Sequence, residues 1–300
     1  MVQTVRPERP LSVGGGRNPC EVSIAAITDP KTNKWISKSG IKSDEIDAEK
    51  LAHLARGGFV KEIYHPVNKK RRFKELVFAY SDTVKNQIRV KNKLKARFRT
   101  EGIKCTGITV YSKKYRDRWK EKLPNNQIAY LIADELWSQL DHLQASKNKI
   151  KKEIEIQGKQ YPEIERFMKI PGVGLINAST IFAIIDNPHR FANKKKLWMY
   201  AGIGLAERAS GDTVYSKKLP REYNRQLKNA VKKSTESAIN ARESQFRRQH
   251  LRLTIKQGIP SHKAKLTVAR SLLATIYGIW KNGEDYDPDI DRKRKEKNRK

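Results

Sequence analysis

Two aspartates near the start of the chain have the spacing of a carboxylate pair that could hold a metal ion. Asp44 and Asp47 lie three residues apart in a predicted helix, for which Ser43 is a suitable N-cap. They share one helix face, and because neighbouring carboxylates repel each other, a bound Mg²⁺ would stabilise the pair. The simpler interpretation is that acids in a first helical turn complement the helix dipole. The pair by itself leaves both interpretations open.

A second candidate site is a Pro-Gly turn between two predicted helices. Pro171 cannot donate a backbone hydrogen bond, and Gly172 and Gly174 can adopt positive φ, so a tight turn is expected here. Such a turn directs free amides and a new helix N-terminus outward, a geometry suited to a phosphate. We interpret the segment as a helix-hairpin-helix that binds nucleic acid. The alternative is a plain corner between two helices, in which Pro-Gly only ends one helix and allows the turn.

The charge of the chain favours a polyanionic partner. Its 300 residues include 64 Lys and Arg against 32 Asp and Glu, a formal net charge of +32. Such an excess indicates nucleic acid first, with binding that weakens steeply as salt rises. A membrane is the less favoured partner, because no apolar run approaches the roughly 18 residues of a spanning helix. Cys20 and Cys105 have neither zinc nor disulfide-framework spacing, and we expect a cytoplasmic protein.

The elements that must position these residues are predicted to be mainly α-helical. Residues 69–95 form a basic amphipathic helix, and residues 126–157 carry apolar positions at alternating spacings of four and three. This heptad pattern favours a coiled coil, formed either with another helix of the chain or with a second copy. Further helices are expected over residues 223–238 and 262–280, and residues 22–27 predict one buried strand.

Several basic residues lie near a polar loop that contains Ser210 and Gly211. A Ser-Gly pair is by itself usually only a turn. The cationic candidates for phosphate contact are Arg208, Arg221, Arg225 and Lys228.

Taken together, these segments resemble the insertion-sequence transposases of the IS116/IS110/IS902 group, the "DEDD plus serine" recombinases. The resemblance runs from about residue 27 to residue 286. Its specific parts are residues 42–48 and 170–174, Arg190-Phe191, Tyr200-Ala201-Gly202, Ser210-Gly211, His262-Lys263-Ala264 and Ala269-Arg270.

The resemblance implies a DNA recombinase of a mobile element that depends on Mg²⁺ and is guided to DNA by a structured RNA from the element's ends. In that family a RuvC-like, RNase H-type α/β domain carries four acids, and Asp44 and Asp47 match the last two. Ser210 matches the nucleophilic serine of the C-terminal domain, where Arg208 could help neutralise the phosphate.

The resemblance also divides the chain. Residues 1–19 are unmatched and expected to be disordered, and residues 20–68 are a remnant of the RuvC-like domain. Residues 69–160 form the coiled-coil region, through which a homo-oligomer is expected. Residues 161–286 form the C-terminal transposase domain with the helix-hairpin-helix, and residues 287–300 are a basic tail.

One departure from the family pattern bears on activity. The first two acids of the family stand on strands upstream of the segment at residue 29, and neither Glu8 nor Glu21 stands in that context. We therefore expect a truncated copy with impaired strand transfer. The predicted function is a transposase. The alternatives are a catalytically inactive DNA- or RNA-binding remnant and a basic RNA-binding module.

Overall fold

The described part of the chain is mainly helical, as the sequence predicts. The computed structural model describes residues 43–60, 68–210 and 213–288. The chain divides into two units, residues 1–66 and residues 67–300. The strand expected over residues 22–27, the disorder expected over residues 1–19 and most of the basic tail fall outside the described residues. Within them, no helix is long and apolar enough to cross a membrane.

The first unit contributes one described helix, α1 (Asp44–Arg56). The predicted cap is confirmed, because Ser43 accepts a hydrogen bond from the backbone N–H of Ile46 at 3.2 Å. Asp44, Glu45 and Asp47 occupy the first turn, where their charges complement the positive end of the helix dipole.

The second unit begins with two long helices joined by short ones. They are α2 (Asn68–Thr100), the 3₁₀ turns Thr109–Tyr111 and Lys113–Tyr115, α3 (Arg116–Lys120) and α4 (Gln127–Gly158). The elements that follow are α5 (Pro162–Met168), α6 (Leu175–Ile185), the 3₁₀ turn Pro188–Arg190, α7 (Lys194–Tyr200), β1 (Ala206–Ser210), β2 (Thr213–Lys218), α8 (Arg225–Asn240), α9 (Gln245–Leu251), the π-helix Arg252–Lys256 and α10 (Ser261–Asn282).

The heptad positions of α4 pack on α2 of the same chain. Ala133, Leu136 and Leu140 are buried, and Gln87 of α2 donates to Gln144 of α4 at 2.7 Å. The Phe98 ring near the end of α2 lies 6.0 Å from Trp137 near the start of α4, so the two helices run antiparallel. Pairing with another helix of the chain, one of the two interpretations that the heptads allowed, is therefore observed.

The far end of this helix pair closes over a separate apolar cluster, the distal core. Its largest rings are Phe98, Trp119 and Trp137. The indole N–H of Trp137 donates to the carbonyl of Val110 at 2.8 Å, which satisfies a polar group that would otherwise be costly to bury. This bond ties the 3₁₀ turns to α4.

The main apolar cluster, the central core, surrounds α6. Residues 178–185 of α6 are all buried, as expected for a helix that is apolar on every face. The helices α2, α4, α5 and α8 contact it. Its aromatic centre includes Phe182, whose ring lies 6.0 Å from Phe73 and 5.3 Å from Trp280. The central core therefore joins the start of α2 to the C-terminal helices.

Candidate functional site

Ser210 ends a strand rather than lying in the polar loop expected from the sequence. It is the last residue of β1, which pairs antiparallel with β2, and its partner in the register is Thr213. The pairing is interrupted by a register shift between Arg208 and Ala209. Thr213 and Val214 at the start of β2 are both β-branched, which favours a strand here.

The two ends of this hairpin meet at Gly202. Its φ is +69°, and a Cβ at this position would lie 2.5 Å from Cγ of Tyr223, on the segment that leaves the hairpin. The adjacent Asn224 donates its backbone N–H to the carbonyl of Tyr200 at 2.9 Å. Its side chain also caps α8 by accepting from Leu227 N at 2.9 Å. Packing and hydrogen bonds thus join the end of α7 to the start of α8 at the base of the hairpin.

A half-buried arginine holds the segment that enters β1 from the other side. The Nε of Arg270 on α10 donates to the carbonyl of Ile203 at 2.6 Å. Trp198 of α7 donates its indole N–H to the carbonyl of Arg270 at 3.0 Å. Burial lowers the pKa of the Arg270 guanidinium, which remains cationic because arginine titrates far above neutral pH. Arg270 belongs to a motif of the family resemblance, and its place in the structure is that of a positioning residue.

The Pro-Gly turn lies between α5 and α6, as predicted, and packs against α8. Gly172 has φ of +84°, and a Cβ there would lie 2.3 Å from the backbone N of Ala238. Pro171 is half-buried beside it. Gly174, in contrast, is exposed, has φ of −85° and precedes α6 without a side-chain cap. Gly172 is therefore packed against α8, whereas Gly174 is exposed beside the free backbone amides at the N-terminus of α6.

Three of the four basic residues singled out from the sequence lie where the hairpin joins α8. Arg221 and Arg225 are exposed, and the Lys228 ammonium lies 4.0 Å from the centroid of the Tyr223 ring. Arg208 lies in β1 opposite Ser216. The backbone thus places all four near the hairpin that carries Ser210, where cations could contact phosphate.

A second positive region lies on the helix pair, and the sequence indicated only part of it. Lys91 and Lys95 each lie 5.2 Å from the Tyr111 ring centroid. The pKa of Lys147 on α4 is lowered by burial and by the charges of Lys91 and Lys151. Its heptad position was the only sequence signal, because a lysine is unexpected in an apolar stripe.

Lys70 of the predicted basic face has an internal role. It lies 3.7 Å from the carboxylate of Asp186 and donates to the Asp186 carbonyl at 2.9 Å. Asp186 is buried just beyond α6 at φ of +58°. Lys70 therefore holds the end of the central helix, which a charge pattern along one helix could not reveal.

The two aspartates share the first turn of α1 and differ in exposure. Asp44 is exposed, whereas Asp47 is half-buried and its Oδ1 is buried with no hydrogen-bond partner. Among the described residues there is no group of three or more His, Cys, Asp or Glu side chains that could hold a metal ion. The pair thus supplies two carboxylates, and an unsatisfied oxygen in Asp47.

Comparison with known proteins places part of this architecture in a family. Residues 164–251 match the family model described as Transposase IS116/IS110/IS902 family. The matched segment runs from α5 through α9 and contains the Pro-Gly turn, Ser210 and the four basic residues at the hairpin. This segment of the chain is therefore similar to the transposase family that the sequence motifs indicated.

A curated protein of an insertion element is also similar to this chain. The chain is 23% identical over 168 residues to "Insertion element IS110 uncharacterized 43.6 kDa protein" of Streptomyces coelicolor (strain ATCC BAA-471 / A3(2) / M145). The similarity covers 55% of this chain and 40% of that protein. Arg270, which holds the transposase-domain hairpin, lies beyond the residues that match the family model.

Proposed function

We propose that this chain is an insertion-sequence transposase that exchanges DNA strands through Ser210. The observation that carries the proposal is the place of Ser210, at the end of β1 on an anchored hairpin inside the transposase-family segment. A nucleophile benefits from a support that holds it in one position. Gly202, Arg270 and Asn224 supply that support at the base of the hairpin.

The chemistry is a transesterification at a DNA phosphodiester. The Ser210 hydroxyl oxygen forms a bond to phosphorus, one P–O bond to a sugar breaks, and the hydroxyl proton is passed on so that the leaving sugar oxygen becomes a hydroxyl. The phosphoserine ester preserves the energy of the broken bond, so a second sugar hydroxyl can displace the serine without an external energy source. Arg208 would stabilise the negative charge of the phosphate during both steps.

Asp44 and Asp47 are the proposed ligands of Mg²⁺. Carboxylate oxygens suit this ion, and the buried Oδ1 of Asp47 lacks a hydrogen-bond partner within the described ranges. When bound, Mg²⁺ would neutralise charge on the phosphodiester. The two carboxylates are fewer than a full ligand set, so water, substrate oxygens or residues outside the described ranges would complete it. In this proposal α1 is part of a RuvC-like fragment.

Nucleic acid, both element DNA and a structured guide RNA, is the proposed partner. The net charge of +32 supports this, together with the exposed Arg221 and Arg225 and the open Gly174 end of the proposed helix-hairpin-helix. A homo-oligomer is proposed through the helix pair. Ile128 and Leu131, 66% and 60% exposed on α4, support a contact with a second copy.

A covalent adduct assay tests the function. The purified chain is incubated with element-end DNA, guide RNA and Mg²⁺, and protein–DNA adducts are separated under denaturing conditions. Ser210→Ala should abolish the adduct and leave binding unchanged, since one hydroxyl adds little to a charge-driven interaction. Ser216→Ala, on the facing strand, is the matched control and should keep the adduct. An adduct that survives Ser210→Ala would refute the serine assignment.

Two variants of the first turn of α1 test the proposed Mg²⁺ ligands. Asp44→Asn should reduce the adduct and raise the Mg²⁺ concentration required, whereas Glu45→Gln removes an equal charge from the same helical turn and should change neither. Equal effects of the two variants would show that the first-turn acids serve only the helix dipole.

The second candidate function is nucleic-acid binding without strand transfer. The small number of carboxylates near one another in the described ranges favours it. The same assay separates the two candidates, because this function predicts salt-sensitive binding and no adduct from the unmodified chain.

A further inference from the structure

A cavity of about 300 Å³ lies between α8 and α10. One of its lining residues is Leu219, which directly follows β2. The cavity therefore borders the strand that pairs with the Ser210 strand. The sequence did not indicate this cavity, although Lys228, one of its lining residues, is among the cationic candidates for phosphate contact.

The rim of the cavity is basic. Lys228 and Lys232 of α8 line it together with His262 and Lys265 of α10, and Glu236 is the one acid among the lining residues. No ion pair joins any of the three lysines to an acid in the part of the chain that the structure describes. Lysines without an acidic partner favour a ligand that brings negative charge.

The N-terminus of α10 adds to this positive field. The helix is 22 residues long, begins at Ser261 and has no side-chain cap at its N-cap, Pro260. Its second residue, His262, lines the cavity. The uncapped amides and the positive end of the helix dipole therefore border a space already surrounded by lysines, a combination that suits a phosphate.

The floor of the cavity is apolar. Leu219, Leu266 and Ala269 line it, and the Thr235 hydroxyl beside them already donates to the carbonyl of Val231 at 2.8 Å. A phosphate alone would gain nothing from such a floor. A flat, mostly apolar group attached to the phosphate would be removed from water there.

We propose that this cavity holds one unpaired nucleotide of a nucleic-acid strand. Its base lies against Leu219, Leu266 and Ala269, and its phosphate contacts the lysines of the rim. The inference rests on the proposed function for the nucleic-acid partner and adds a subsite to it. A nucleotide is the unit that combines these two chemistries, and extrusion from a duplex exposes the base for such contact. Because the cavity borders β2, the bound nucleotide would fix the register of the strand beside the Ser210 hairpin.

Three duplex probes of one sequence test the base contact. One is fully paired, one carries a single bulged 2-aminopurine nucleotide, and one carries an abasic residue at the bulge. The full chain should bind the bulged base about tenfold more tightly than the abasic bulge, a difference of about 1.4 kcal/mol. The fluorescence of 2-aminopurine should change on binding.

Floor variants show whether the cavity is responsible. Leu266→Gln should remove the preference for the bulged base while binding of the paired duplex is kept. Leu219→Gln, at a more exposed position, is the second variant in case Leu266→Gln impairs folding. Leu251→Gln replaces an exposed leucine of α9 that does not line the cavity, and it should keep the preference.

Rim variants test the phosphate contact. Lys232→Gln with Lys265→Gln should weaken binding of both bulged probes about tenfold. Lys233→Gln with Lys263→Gln removes the same charge from neighbouring positions that do not line the cavity and should have a much smaller effect. Equal losses from the two pairs would overturn the proposal.

The outcomes separate this inference from the proposed function. If the chain binds the paired duplex but shows no preference for the bulged base, or keeps that preference in both leucine variants, the nucleotide subsite is wrong and the transposase proposal stands. If no probe is bound, both the nucleotide subsite and the proposed nucleic-acid partner are wrong. If the Ser210 adduct is absent while the bulge preference persists, only the proposed strand-transfer function fails.

Discussion

The central and distal cores bury apolar surface in different ways. In the central core, a helix that is buried along residues 178–185 is enclosed by helices from both ends of the second unit. In the distal core, short turns and α3 close the end of a single helix pair around Phe98, Trp119 and Trp137. The central core thus joins segments from Phe73 to Trp280, whereas the distal core is confined to residues 90–140.

Only the central core supports the segments to which a function is proposed. The Ser210 hairpin, the Pro-Gly turn and the proposed nucleotide cavity are all attached to helices of the central core. The distal core carries none of them. A small core at the end of one helix pair can open at a lower free energy than the global unfolding, so we expect the distal core to open locally without loss of the proposed activity.

The largest effect is expected at Gly172. Gly172→Ala would bring a Cβ within 2.3 Å of the Ala238 backbone at φ of +84°, and strain plus overpacking should reduce the free energy of unfolding by about 4 kcal/mol. Urea denaturation measures the loss. Gly174→Ala is the control, because its φ is −85° and nothing lies within 4 Å of a Cβ there, and it should change stability by less than about 0.5 kcal/mol. Equal losses would contradict the packing of the turn on α8.

The next effect separates the two cores directly. Trp137→Phe leaves the Val110 carbonyl without its partner and should destabilise the distal core by about 2 kcal/mol. The reporter is buried Cys105, which is the only thiol of the chain once Cys20 is replaced by serine. In this background, Trp137→Phe should make labelling of Cys105 by a thiol reagent about 30-fold faster and leave DNA binding unchanged.

The matched change in the central core is Trp198→Phe. It removes the bond to the Arg270 carbonyl at the hairpin base. We expect adduct formation to fall and Cys105 labelling to stay the same. If both tryptophan variants changed both readouts, the two cores would unfold together, and local opening of the distal core would be disproved.

A smaller effect is expected on the salt dependence of DNA binding. Replacing Arg221 and Arg225 by Gln should make the slope of log K against log salt shallower by about 1.8, if each contacts one phosphate. Replacing Lys91 and Lys95 by Gln removes equal charge from the helix pair near the distal core. The slope should then change by much less, since the proposed contacts lie at the hairpin. The opposite ranking would move the interface to the helix pair.

The smallest effect concerns acid stability of the distal region. Arg116 donates to Asp141 at 2.6 and 2.9 Å and, with Lys113, holds the pKa of that carboxyl below its usual value. A carboxyl group with a lowered pKa stabilises the folded state at any pH above its pKa in the unfolded chain, which is near 3.8. This stabilisation is lost as the pH falls through the pKa of the folded state. Because about a third of the Asp141 side chain is exposed, screening limits the effect to less than about 1 kcal/mol.

Urea denaturation of Asp141→Asn tests this sign. The variant should be less stable than the unmodified chain at pH 7, and the difference should shrink as pH falls below about 4. Asp134→Asn disrupts a more exposed pair with Lys120 and should have little effect at either pH. A difference that grew towards acid would contradict the assignment to Asp141.

The local features of this protein could be predicted from its sequence. Three long helices predicted over residues 69–95, 126–157 and 262–280 were observed as Asn68–Thr100, Gln127–Gly158 and Ser261–Asn282. The Ser43 cap and the turn at Pro171 were also correct. These features depend on hydrogen bonds and apolar spacings within a few residues, so the chain specifies them locally.

The candidate site was predictable only in part, because a motif does not show which residues meet in space. The order of the motifs indicated the transposase-family domain, and residues 164–251 match it. The roles of Ser210, Asp44 and Asp47 remain predictions. The placement of Ser210 at a strand end rather than in a loop depended on pairing with β2.

The arrangement of the remaining parts depends on contacts between segments that are distant in sequence. The heptads of α4 allowed a partner in either this chain or another, and the packing of α2 against them in this chain is a non-local contact. Gly172 meets Ala238 and Arg270 meets Ile203, each more than sixty residues away in sequence. The same is true of the cavity that α8 and α10 enclose. Close approach of distant segments depends on the shape of the whole core, which no local pattern of side chains specifies.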